Sequence, residues 1–152
     1  MTRCSPCQQP GKQQGSMLIE ALVAILIFSM GILAIVGLQA TSVKLSTDAK
    51  YRSDASLLAN QLIGQMSVAA PDTATLIAGF SSPNGADYLT WVASSVQPNL
   101  PGVTGARLPT VAVVAVNAAT QVTVTLRWQA PSEADASTVH SYIAIAQIRN
   151  GS

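Results

Sequence analysis

The sequence predicts an α+β chain in which one long N-terminal helix packs on a small C-terminal antiparallel β-sheet. Three observations predict it. An apolar run of near-bilayer length lies close to the N-terminus, and no proline interrupts the chain between Pro10 and Pro71. Three runs with strand character are crowded into residues 110–152. The chain has 152 residues, 49% of them hydrophobic and only 10% charged, with a net charge of +1. That balance argues against a nucleic-acid partner, which calls for a basic face, and the apolar content argues against disorder. Beyond the first forty or so residues, the remainder suffices for one small domain with one core.

Residues 1–15 form a polar head with Arg3 and Lys12 as its cations and "CSPC" carrying Cys4 and Cys7. Two thiolates alone cannot close a zinc site, and no second Cys or His pair follows. Residues 16–39 are the apolar segment. From Ala21 to Leu38 the one polar side chain is Ser29, and no charge occurs between Glu20 and Lys44. Eighteen helical residues span ~27 Å, close to the ~30 Å of a hydrocarbon core.

Glu20 decides between readings of this segment. A cleaved secretory signal has an uninterrupted apolar region and a small-residue exit, whereas Glu20 interrupts the run and "GLQA" places Leu38 in the exit. A lipoprotein signal requires a cysteine after the run, and the chain has none there. A plain uncleaved anchor accounts for neither the glutamate nor Gly15.

The stretch "QGSMLIEALVAILIFSMGIL" resembles the class III signal of type IV pilins and pseudopilins: a basic leader ending in glycine, then an apolar helix with glutamate at its fifth position. Downstream, "LIEALVAILIFSMGILAIVGLQATSV" and "SDASLLANQLIGQM" are similar to the PilV-type minor pilins, the type IV pilus modification proteins. Ser16 stands where that family usually has Phe. The resemblance implies the type IV pilin fold, removal of residues 1–15 by a prepilin peptidase between Gly15 and Ser16, and N-methylation of Ser16. It implies that Glu20 sets the register of subunit assembly by neutralising the new amine of a neighbouring subunit. It also implies an inner-membrane subunit with one span and a periplasmic C-terminal domain, later incorporated into a cell-surface pilus. The implied partners are the prepilin peptidase, other minor pilins and the major pilin, the inner-membrane assembly platform, and membrane lipid. The implied function is a minor pilin in pilus assembly and initiation, with adhesion open; the alternative is a minor pseudopilin of a type II secretion system.

The helix should continue through residues 40–70. Ala55, Leu58, Leu62, Met66 and Ala69 recur at steps of three and four, an apolar stripe suited to packing on a sheet. Lys44, Asp48 and Arg52, four apart, are placed to pair weakly on another face. Gly37 stands where many pilins carry a helix breaker. Residues 71–109, rich in Pro, Gly, Ser and Asn, read as a connecting loop. One short helix is expected in it, from Leu89, Val92 and Val96. Strands are expected in "TVAVVAVN" (110–117), "QVTVTLRWQA" (121–130) and "TVHSYIAIAQIR" (138–149), joined as an antiparallel meander. The second alternates cleanly, with Val122, Val124, Leu126 and Trp128 on one face; in the third, Ile143 and Ile145 carry an imperfect alternation.

No catalytic constellation is legible. The single histidine, His140, lies in an expected strand without a nucleophile at a readable spacing. No phosphate-binding glycine motif occurs. Glu133 and Asp135 fall in a polar turn that they are expected only to keep soluble, with too few oxygen ligands for a calcium loop. The expectation is a non-enzyme with no cofactor and no metal site.

Overall fold

The structure is a computed structural model and describes residues 14–69, 72–117, 119–131, 133 and 138–149. Arg3, Lys12, Cys4, Cys7 and Asp135 lie outside the described residues. The chain is α+β: α1 (Gln14–Ala69), α2 (Thr73–Phe80), α3 (Ala86–Trp91), then β1 (Thr110–Val116), β2 (Ala119–Trp128) and β3 (His140–Arg149). Two compact units divide it, Met1–Val43 and Lys44–Ser152.

In the first unit α1 is helical from Gln14 and exposed at every position from Ser16 to Val43. The helix is long and apolar enough to cross a membrane. Two of its hydroxyls bond its own backbone. Ser29 Oγ donates to the Ile25 carbonyl at 2.7 Å, and Thr41 Oγ1 to Gly37 at 3.2 Å. Such i−4 bonds hide a polar group inside an apolar helix. Gly31 and Gly37 sit within unbroken helix, although each costs ~1 kcal/mol relative to alanine.

In the second unit the expected stripe forms one wall of the core. Ala55, Leu58, Ala59, Leu62 and Met66 are buried, whereas Ala69 is exposed. Ala69 is the last residue of α1 and borders an open groove with Gln65, Phe80 and Trp91, so the stripe ends one turn earlier than its spacing suggests. The sheet supplies the facing wall. Its order is β1-β2-β3, antiparallel throughout, with Val111 opposite Val124, Val122 opposite Ala146 and Trp128 opposite His140. β2 is central and alternates as a strand covered on one face should: Thr120, Val122, Val124, Leu126 and Trp128 are all buried. In β3 two of the three isoleucines point the other way. Ile143 and Ile145 are exposed, and Tyr142, Ala144 and Ile148 face the core. Asn117 ends β1 at φ 55, a left-handed conformation that asparagine tolerates better than most residues.

The segment between helix and sheet is more helical than its composition suggests. Besides α2 and α3 it holds a π-helical turn, Val92–Val96, a helical stretch, Gln97–Asn99, and a 3₁₀ turn, Gly105–Arg107. The expected short helix is present as α3 with the turn that follows it; Val92 and Val96 are buried, and Leu89 is exposed. α2 starts where Asp72 accepts from the Thr75 N–H at 2.8 Å and from its hydroxyl at 2.9 Å, and it buries Leu76 and Phe80, one turn apart, in the common core. The link from α2 to α3 is close-packed: a Cβ on Gly85 would run into the Gly79 carbonyl. Polar ties fasten this layer to the sheet. Ser82 N–H donates to the Val111 carbonyl and Val111 N–H to Ser82 Oγ, both at 3.1 Å. The Thr73 and Thr120 hydroxyls bond each other, and Tyr142 donates to Ser56 Oγ at 3.2 Å, fastening β3 to α1.

Candidate functional site

The residues that the sequence singles out lie in the opening turns of α1. Gly15 and Ser16 are helical, and Glu20 follows Ser16 by four positions. Four residues of helix rise ~6 Å and return nearly to the same face. Ser16, Glu20, Ile19, Val23, Ala24 and Ile27 line one shallow face together. The carboxylate thus stands at the polar end of a stripe that is otherwise aliphatic. Removal of residues 1–15 would bring Glu20 within reach of a new helix start. Around this face the helix exposes Met17, Leu18, Leu22, Leu26, Phe28 and Leu33, each 65–75% accessible. An apolar surface that extensive marks a contact with lipid or protein.

A second polar cluster lies in the Lys44–Ser152 unit, and the sequence did not reveal it. His140 Nε2 lies 3.0 Å from each oxygen of Glu133. The Glu133 side chain is 8% exposed and that of His140 27%. Glu133 is therefore no mere solubilising residue of a polar turn. Its Oε2 also accepts the Ala130 N–H at 3.3 Å, and its main chain bonds the Ala130 carbonyl and Gln129 Nε2. The hydrogen bond from His140, more than any other cause, holds the Glu133 carboxyl below the usual range. The positive charge that His140 can carry, the Ala130 N–H and the charge of Lys44 act in the same direction, and burial opposes them. The His140 ring stacks on Trp128, centroids 5.7 Å apart at 21°. Asp48 faces this pair. Among the described residues no ion pair joins it to Lys44 or Arg52, contrary to the spacing-based expectation. Its Oδ1 is buried without a hydrogen-bond partner there.

No local pattern announces this cluster. Asp48 is on a helix far upstream, and Glu133 meets His140 only because the β2–β3 register places His140 opposite Trp128. An open groove lined by Gln65, Asp87, Thr90, Trp91 and Ser94 is the other polar concavity of note.

No family model, no curated protein and no solved structure matches this chain.

Proposed function

We propose that this chain is the precursor of a minor pilin of a type IV pilus, a non-catalytic subunit acting in pilus assembly and initiation. One observation carries the reading. A helix apolar on every side and uncovered from Ser16 to Val43 bears a single carboxylate, Glu20, five positions after Gly15. A charge in such a segment is expensive in hydrocarbon, about 2.5–3.5 kcal/mol at the centre of a span, and a neighbour's α-amine would offset that cost. The small sheet on the second half of α1 suits a head group carried by such a helix. In this reading residues 1–15 are removed, Ser16 becomes N-methylated, and Glu20 pairs with the amine of Ser16 in an adjacent subunit. The partners are the peptidase, other pilins, the assembly platform and lipid.

Mass spectrometry of the protein purified from its host tests the reading. The expected mature chain begins at N-methyl-Ser16 and lacks Cys4 and Cys7. A chain starting at Thr2 or Thr41 would overturn it.

A further inference from the structure

Asp48, Glu133 and His140 bring metal-capable donors together from three separate segments: α1, the β2–β3 connection and the first residue of β3. One donor atom from each lies within 4.8 Å of the other two. Three points that close share a centre no more than about 2.8 Å from each, against roughly 2.0–2.2 Å for zinc–nitrogen and zinc–oxygen bonds. Side-chain adjustments of under about 1 Å would close the difference.

We propose that Asp48, Glu133 and His140 form a binding site for one divalent transition cation, zinc in the first instance. An imidazole with two carboxylates is a donor set for zinc, which takes three protein ligands with a water in the fourth position. The imidazole disfavours magnesium and calcium, which prefer oxygen alone. The donors are also held in place. Trp128 stacks on the His140 ring. Glu133 is fixed by the Ala130 N–H and by Gln129, which Arg107 Nη1 holds in turn at 2.7 Å. An independent observation points to a ligand: Asp48 Oδ1 is shut off from water with nothing among the described residues donating to it. A carboxylate oxygen so placed is costly, and a cation bridging to Glu133 and His140 would satisfy it. Lys44, one turn before Asp48 and exposed, adds a repelling charge that moderates affinity. A bound cation would clamp β3 and the turn before it to α1.

The test uses the full chain in detergent micelles, with Cys4→Ser and Cys7→Ser so that no thiolate competes for metal. Titration with zinc chloride, followed by calorimetry, should give one zinc per chain, and magnesium and calcium chloride should give no comparable heat. Asp48→Asn and His140→Gln should each weaken zinc binding by about tenfold or more, with metal-free circular dichroism unchanged. A second readout needs no variant at the site. His140 is the chain's one histidine, so diethyl pyrocarbonate reports on a single imidazole, and zinc but not magnesium should slow its modification. The proposal is overturned if zinc does not bind, or if it binds equally to both variants. It is overturned equally if the modification rate of His140 is the same with and without zinc, which would leave the cluster as a plain histidine–carboxylate contact. Should either variant lose its fold, the protection measurement decides alone.

Discussion

Tyr88 is 3% exposed yet carries a hydroxyl, and a hydroxyl that deep requires an acceptor. It donates to the carbonyl of Pro109 at 2.8 Å, immediately before β1. Burial pushes the phenol's pKa up, so it remains an un-ionised donor at any pH of interest. Tyr88→Phe keeps the ring, and with it the contact to Trp91, but leaves a buried carbonyl unpaired, which costs about 1–3 kcal/mol. Urea unfolding of the full chain in micelles should show a lower midpoint with an unchanged slope. Equal midpoints would mean that Pro109 finds another donor. The same accounting separates residues that a sequence discloses from those it hides. Val122 and Trp128 announce their burial through alternation alone. Glu133 lies against a histidine across a turn and near an aspartate on a distant helix, and no short window of sequence contains all three.

Elements were legible in proportion to how far their pattern is local. β2 is visible because period-two alternation is a property of neighbouring residues. The stripe of α1 is visible from Ala55 to Met66 for the analogous helical reason. α2 was hidden by its setting, since Pro71, Gly79, Pro83 and Gly85 make the region read as loop. Two signals were nonetheless present: Asp72 as an N-cap three residues before Thr75, and Leu76 with Phe80 one turn apart. The orientation of β3 was obscured because Ile143 and Ile145 face outward while Ala144 between them faces the core. The Asp72 cap gives an element-scale prediction. Its bonds to the N–H and hydroxyl of Thr75 hold the carboxyl below its ordinary pKa. A depressed folded-state pKa contributes stability that is present above the unfolded value of about 3.9 and is lost as pH falls through the folded value. Asp72→Ala should therefore lower the melting temperature by a few degrees at neutral pH. The gap between variant and wild type should shrink in melts taken progressively below pH 4. A gap that stays constant with pH would show that the ionised carboxylate is not what caps α2.

At the scale of the whole molecule, an apolar helical segment exposed at each position from Ser16 to Val43 continues into a unit with a buried core. The two halves of α1 face different demands. From Ala55 to Met66 the buried side chains join the core that the sheet closes, whereas from Ser16 to Val43 every residue is exposed. If the uncovered half is an assembly surface, Glu20 is the position where assembly and membrane residence make opposite demands. In a lone subunit its carboxylate, close to the start of the span, can reach water or head groups. A valine there makes the segment more apolar, so insertion should be retained, and the proposed cleavage bond at Gly15–Ser16 lies a full turn away. In a filament, the amine of a neighbouring Ser16 would be left buried without its counter-charge, at a cost of several kcal/mol. Glu20→Val should therefore be found mature in the inner membrane and absent from sheared pili, as fractionation and blotting would show. Variant protein present in pili at the wild-type level would rule out a register-setting role for Glu20. A partial loss has its own meaning, because a subunit at the tip contacts fewer neighbours and strands fewer charges than one in the shaft.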